Sequence, residues 1–293
     1  MSKNILITGT SGFIGRHLAE YFNNWRCYNI FVPKRYDLNL LESESVRQYI
    51  IEKEIDIVIH CATVNPLRSP NEIEDLTERN LRMFFNFEKC SNCYDKMIYF
   101  GSGAEYDMNH YIPLMQESYF GTYIPDDAYG FSKYVMSRVV ELSKNIYDLR
   151  LFGVYGKYEE WNRRFISNNI CKSLKGLPMT INKNMNFDYL YIDDLCKILE
   201  WFIEHTPKYH HYNVCTSQVI DLFSLAKMIN EVSGIEREII IREEGMKTEY
   251  SGDNSRLITE CGNFQFADKK ETIQTLWEYY KEHIDEIDIE QLK

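Results

Sequence analysis

The chain has 293 residues, 44% of them apolar, and a formal net charge of −11 at pH 7. That length favours one large domain with a smaller companion, while the acidic balance argues against nucleic acid or an anionic membrane as partner. No apolar run reaches membrane-spanning length, no export signal opens the chain, and eight scattered cysteines fit a reducing cytoplasm.

Residues 5–8 are apolar and β-branched and read as a buried strand. Gly9, Gly12 and Gly15 follow at intervals of three, and helical periodicity starts at Phe13. Gly9 suits a tight turn, Gly12 a close approach of backbone to a pyrophosphate, and Gly15 close helix packing. The helix start, with the N–H groups of Phe13 and Ile14, then offers an anion site, so a dinucleotide is expected here.

Strand and helix patterns then alternate. Strands are expected at 28–32, 56–60, 97–100 and 148–152, and helices at 44–51, 71–90 and 128–144. This predicts an α/β fold with a Rossmann-type, doubly wound parallel sheet over 1–156. The alternation loosens after Gly156. A helix near 165–175, a strand at 188–192, helices at 193–205, 222–232 and 270–283, and a strand at 238–242 complete the reading. A smaller α/β C-terminal substrate domain is expected from 157–185 and 217–293, with 186–216 returning to the first. The acidic tail after Glu282 reads as a solvated end.

Three places carry chemistry. At the end of the second strand the first polar side chains are Lys34 and Arg35, and a guanidinium fork there suits a 2′-phosphate, favouring NADP over NAD. Asp37 is the residue that would instead reach a free ribose. Ser102 follows the 97–100 strand, at the end of such sheets where ligands bind. Tyr129 and Lys133, four residues apart, share one helical face behind Asp126 and Asp127, either a suitable N-cap. A neighbouring ammonium favours phenolate, bringing a tyrosine toward its working range for proton transfer. Cys90 and Cys93 lack a second pair or nearby histidines, and no metal is expected. His210 and His211 read as a solvated loop.

Together these residues resemble the extended short-chain dehydrogenases/reductases that act on nucleotide-diphosphate sugars, the NAD-dependent epimerase/dehydratase group. The resemblance runs over nearly the whole chain and includes the motif from Asp188 to Asp194 and Tyr212-Asn213-Val214. Within the family the chain is most similar to GDP-fucose synthase and other 4-keto-sugar reductases, through Arg35 to Leu41 and the run from Gly121 to Tyr129. The resemblance implies that Arg35 meets the 2′-phosphate with Asn39 and Leu40 in the same cofactor segment. It implies that Ser102 bonds the sugar carbonyl, Tyr129 donates a proton, and Lys133 holds the nicotinamide ribose. Cys61, Ala62 and Thr63 would line the cofactor through backbone contacts, and Glu105 and Tyr106 would pack below Ser102.

Two departures narrow the chemistry. Sugar dehydratases of the family carry an acid and a base where this chain has Gly103 and Ala104, and GDP-fucose synthase carries a cysteine at the second of these. Its partner histidine falls near Arg164. Alanine abstracts no proton, so the usual base for C3/C5 epimerisation is missing while the hydride-transfer set remains. The arginine that often meets the substrate pyrophosphate is Phe187 here; Arg163, Arg164, Lys183 or Arg256 would substitute. Trp161 is a candidate for stacking on a substrate ring. The expectation is an NADPH-dependent reductase of a nucleotide-diphosphate 4-keto-(6-deoxy) sugar, cytoplasmic and dimeric through the helices at 71–90 and 128–144. The alternatives are a 4-epimerase with tightly bound NAD and a non-catalytic NADP-binding sensor or scaffold.

Overall fold

Short strands rich in buried apolar residues belong in a sheet covered on both faces. The first half of the chain supplies them: β1 (Lys3–Thr8), β2 (Tyr28–Phe31), β3 (Ile57–His60), β4 (Lys96–Ser102) and β5 (Ile146–Leu151), with β3 and β5 buried at every residue. Between them run α1 (Phe13–Asn23), α2 (Ser43–Glu52), α3 (Leu76–Glu88) and α4 (Ala128–Val140). This computed structural model describes residues 2–24, 27–65, 75–262 and 264–292. The expected helix start at 71–74 therefore lies outside the described residues.

With β9 (His211–Val214) these strands form one six-stranded sheet in the order β2-β1-β3-β4-β5-β9, parallel at every pairing. The order reverses between β1 and β3, the switch point at which open α/β sheets bind ligands. This is a Rossmann-type α/β fold. Leu6, Val58, Phe84, Phe87, Met97 and Tyr99 are buried together with Met136 and Val140 between sheet and helices. The helix expected to reach 144 stops at Val140: Leu142 is 87% exposed, and the chain turns through Ser143, whose hydroxyl donates to Val140 O.

The contacts divide the chain into two units, the first holding 1–110, 116–151 and 198–214. The second holds 111–115, 152–197 and 215–293, so the chain leaves the first unit at Leu151 rather than 156, and its return starts at Ile198 rather than 186. The second unit contains β6 (Gly153–Tyr155), α5 (Phe165–Leu174), β7 (Met179–Asn184) and β8 (Asn186–Tyr191). It also contains β10 (Val219–Asp221), α7 (Leu222–Ser233), β11 (Ile239–Met246), α8 (Ser255–Cys261) and α9 (Lys269–Glu282), and the boundary falls inside α6 (Ile192–Glu204). Its sheets are small, β10-β8-β6 and β11-β7. Asp221 and Asp268 cap α7 and α9, and Gly234 ends α7 in the left-handed conformation. Its core gathers Ile166, Ile170, Leu225, Ile229, Leu276 and Trp277.

Candidate active site

The glycine turn is tight for reasons visible in its neighbours. Gly9 has φ +69°, and a Cβ there would stand 2.7 Å from the Ala62 nitrogen, so the turn lies directly on the segment after β3. A Cβ on Gly15 would meet Gly9 O at 2.4 Å: the third glycine packs the helix against its own turn. Gly12 is the N-cap of α1, with no side-chain cap and no acidic residue in the first turn. Asp127, Asp221 and Asp268 cap other helices with their carboxylates. The N–H groups of Phe13, Ile14 and Gly15 are thus left without a competing carboxylate, which suits a diphosphate.

Ser102, Tyr129 and Lys133 converge on the carboxyl end of β4. Lys133 Nζ donates to Phe100 O at 2.6 Å and lies 4.6 Å from the Tyr99 ring centroid and 5.8 Å from that of Tyr129. Asp127, of the two candidates, caps α4 by accepting from Gly130 N at 2.8 Å. Gly130 is what lets this helix start approach the serine: a Cβ on it would stand 2.8 Å from Ala104 O. Ser102 Oγ accepts from Ala104 N at 3.1 Å, which closes a short 3-10 turn over Gly103–Tyr106. Lys133 is buried, and burial lowers its pKa to about 8 against the pull of Glu105 and Asp148.

The family described as "NAD dependent epimerase/dehydratase family" matches residues 5–215, a span that holds the glycine turn and all three of these side chains. The chain belongs to that family. It is 24% identical over 306 residues to the GDP-6-deoxy-D-talose 4-dehydrogenase of Aggregatibacter actinomycetemcomitans, covering 97% of this chain and 99% of that one. It is 26% identical over 265 residues to the ADP-L-glycero-D-manno-heptose-6-epimerase of Brachyspira hyodysenteriae, covering 78% and 80%. The crystal structure of a GDP-L-fucose synthetase from Naegleria fowleri bound to NADP superposes with a TM-score of 0.84 at 15% identity, over 97% and 94% of the two chains, which is a likeness of fold.

In this family member the segment after β2 divides its labour. Asp37 Oδ2 accepts from Lys34 N at 3.1 Å and closes its own turn, whereas Arg35 is exposed with no hydrogen bond or ion pair among the described residues. Asn39 spends its side chain on structure, donating to Glu42 Oε1 at 2.8 Å and accepting from Leu41 N at 3.1 Å. The Leu40 carbonyl accepts from Asn86 Nδ2. What Asn39 and Leu40 leave for a ligand is backbone and apolar surface.

Three contributors were not singled out by the sequence reading. His60, the last residue of β3, is buried with Nδ1 3.0 Å from Thr8 Oγ1, and Thr8 also accepts from Ala62 N; this fastens the ends of β1 and β3 together. Burial, with the Lys133 charge nearby, holds His60 down at about 3, so it is neutral. Asn80 on α3 grips Val64 at both backbone groups, N at 2.7 Å and O at 3.0 Å, which sets the course of Cys61 to Val64. Arg150 is fully buried below Ser102. A polar residue closing or interrupting an apolar strand run was the available signal for His60 and Arg150.

Within the second unit the candidates lie apart in kind. Trp161 packs on the core, Arg163 is exposed, and Arg164 is the N-cap residue of α5, 3.9 Å from Glu160. Arg256 is half-buried at the start of α8, and Lys183 lies in β7. Phe187 is half-buried against the core, stacked 4.5 Å from Tyr189 and against Gly153, where a Cβ would stand 2.4 Å from its ring. Asp188 of the β8 motif accepts from Thr216 N, Thr216 Oγ1 and Ser217 N, a structural clasp. Among the described residues no three His, Cys, Asp or Glu side chains gather as a metal site, and no helix is long and apolar enough to cross a membrane.

Proposed function

We propose that this chain is an NADPH-dependent reductase that reduces carbon 4 of a nucleotide-diphosphate 4-keto-6-deoxy sugar, in the cytoplasm. The observation that carries the reading is the convergence of Ser102, Tyr129 and Lys133 on one strand end beside Gly103 and Ala104, which supply no base. NADPH would supply the hydride when bound against the glycine turn. Phe13, Ile14 and Gly15 would hold its diphosphate through N–H groups, and Arg35 its 2′-phosphate, a role supported by its having no other partner among the described residues. Ser102 Oγ orients the sugar carbonyl and stabilises charge as it develops on that oxygen. Tyr129 delivers the proton to it, and the Lys133 ammonium favours the phenolate left behind. Without a side chain able to take a proton at position 103 or 104, the neighbouring sugar carbons keep their configuration.

Trp161, Arg163, Arg164 and Arg256 are the second unit's candidates for binding substrate, and Gly103, next to Ser102, is a candidate of the first. The name of the talose relative, an oxidoreductase at carbon 4 of a GDP-linked 6-deoxy sugar, supports the same class. Two copies would pair through α3 and α4, where Phe131 is 40% exposed, with Leu142, 87% exposed, in the turn after α4.

The test is NADPH consumption across a panel of nucleotide-linked 4-keto-6-deoxy sugars, wild type against Tyr129→Phe. The wild type is expected to oxidise NADPH with at least one of them, and the variant to lose turnover by 10²-fold or more, about that expected for a positioned acid, while still binding NADPH. Near-normal reduction by Tyr129→Phe sinks the assignment. A purified protein that carries NAD and interconverts two sugars with no added reductant would replace it with the 4-epimerase reading. Binding without any turnover would leave the sensor.

A further inference from the structure

Beneath the Ser102 end of β4 lies a polar network that the reaction above does not use. A Cβ on Gly101 would stand 2.0 Å from Asp148 Oδ1 and 2.3 Å from Glu105 Oε1. The two carboxyl oxygens therefore face each other across a space that a methyl group would overfill, in side chains with no solvent exposure. Hydrogen bonds tie the other oxygens of the pair to their surroundings. Glu105 Oε1 accepts from Ser102 N at 2.9 Å and Glu105 Oε2 from Arg150 Nε at 2.8 Å. Asp148 Oδ2 accepts from Ser137 Oγ at 2.7 Å and from Arg150 Nε at 3.3 Å. Arg150 Nη1 and Nη2 donate to Tyr106 OH and Ser137 Oγ, both at 2.8 Å, and Tyr106 OH donates to Asn213 Oδ1 at 2.6 Å. Among the described residues Asp148 Oδ1 has no hydrogen-bond partner, and neither has the buried hydroxyl of neighbouring Tyr99.

A buried carboxylate oxygen with no donor is costly, and two facing carboxylates repel. One proton on the line between Glu105 Oε1 and Asp148 Oδ1 removes both faults. It gives the orphan its bond, leaves Oε1 a lone pair for Ser102 N, and balances the pair's single remaining charge against Arg150. We infer that Glu105 and Asp148 share one proton and that this pair is a positioning element, fixing the Ser102 backbone and setting the charge that Lys133 faces.

The groups around it are Arg150 on β5, Lys133 on α4, Tyr99 on β4, Tyr106 in the 3-10 turn, and Glu117, which accepts from Asn213 N at 3.0 Å. Burial first, then the Asp148 charge, pushes Glu105 up to about 8, the direction a shared proton requires. An acid whose folded pKa is raised stabilises the fold below its unfolded value and loses that contribution as pH rises through the folded one. The stability held by this proton therefore declines from about pH 4.5 to about pH 8. Its bearing on turnover rests on the reductase reading; its measurement does not.

The experiment uses the full chain and two substrate-free readouts. In Asp148→Asn the amide nitrogen takes the place of Oδ1 and donates to an ionised Glu105, while the amide oxygen keeps Arg150 and Ser137. This variant mimics the protonated pair, so it is expected to fold at pH 7. Its melting temperature is expected to lose one proton's worth of decline between pH 5 and 8, up to about tenfold in unfolding equilibrium per pH unit. In lysine-labelled protein followed by NMR, the Lys133 ammonium is expected to titrate at lower pH in the variant, because no second carboxylate charge appears beside it. A variant that keeps the wild-type pH slope, or one that fails to fold at pH 7, overturns the shared proton. An unmoved Lys133 titration in a folded variant overturns the positioning role, whatever sugar the enzyme does or does not reduce.

Discussion

The two units bury polar groups for different ends. In the first, Lys133, His60, Glu105, Asp148 and Arg150 are buried around one strand end, held by each other and by backbone carbonyls and N–H groups. In the second, Asp188, Ser167 with Glu159, and Tyr155 with Thr272 each close a local structural bond. The difference follows from the sheets. A parallel sheet covered on both faces brings strand ends together at one rim and buries what they carry. Sheets of two and three strands, with β11 exposed along most of its length, leave binding side chains in loops and helix starts. Substitutions at the buried polar groups of the first unit should therefore cost activity or fold outright, and those on the exposed strand β11 of the second should be tolerated.

The largest expected effect is at Lys133. Replacing it with alanine removes the ammonium beside Tyr129 and the bond to Phe100 O, and turnover is expected to fall by about 10³-fold, within the range of general acid–base effects. In the intact protein the same group is expected to make kcat fall as pH rises through about 8, where the lysine loses its proton. A pH-independent kcat up to pH 9 would deny Lys133 this role. Next comes Phe87, fully buried in the first unit's core; Phe87→Ala is expected to cost about 3–5 kcal/mol in urea unfolding.

That first unit was also the more legible in sequence. Apolar strand runs, the glycine triplet and the Tyr129–Lys133 spacing are each local patterns; the strands appear with ends shifted by one or two residues, the glycines form the turn before α1, and Tyr129 and Lys133 lie on α4. Gly130 and Asn80 were not legible, because their importance lies in contacts with Ala104 O and with Val64 that no local pattern records. In the second unit β7 went unseen since Asn182, Lys183 and Asn184 obscure its alternation of buried Met179 and Ile181. β11 runs on to Met246 through Arg242, Glu243 and Glu244 because an exposed edge strand accepts charge. Phe187 stands where the family resemblance led one to look for an arginine, and its packing shows why a single exchange would not restore one: the space beside Gly153 is cut for a ring.

A smaller effect sharpens the cofactor side of the comparison. Arg35→Ser is expected to raise the KM for NADPH by about 10–100-fold, the worth of one or two hydrogen bonds to a charged group, and to leave NADH nearly unchanged. Equal losses for both cofactors would mean that Arg35 supports the turn rather than a phosphate.

His60 provides a milder, pH-dependent contrast. Its folded pKa of about 3 lies below the ordinary 6.5, so the unfolded chain takes up a proton that the folded one refuses. Stability from this residue is complete above about pH 6.5 and is lost as pH falls toward 3. His60→Gln keeps a partner for Thr8 and is expected to flatten the acid side of the melting profile between pH 6.5 and 4.

The smallest effect, at Ile241, is expected beside a large one on the same ladder of the second unit. Ile181 on β7 and Ile241 on β11 are register partners, yet Ile181 is 1% exposed and Ile241 41%. Ile181→Ala should cost about 2–5 kcal/mol by leaving a cavity in that unit's core. Ile241→Thr keeps β-branching on an edge strand and should change stability by no more than about 0.5 kcal/mol. Since both residues share one pairing, the ratio of the two losses measures burial rather than strand propensity. Similar losses at both would show that β11's outer face is covered in solution, and the second unit would then not be the tolerant one.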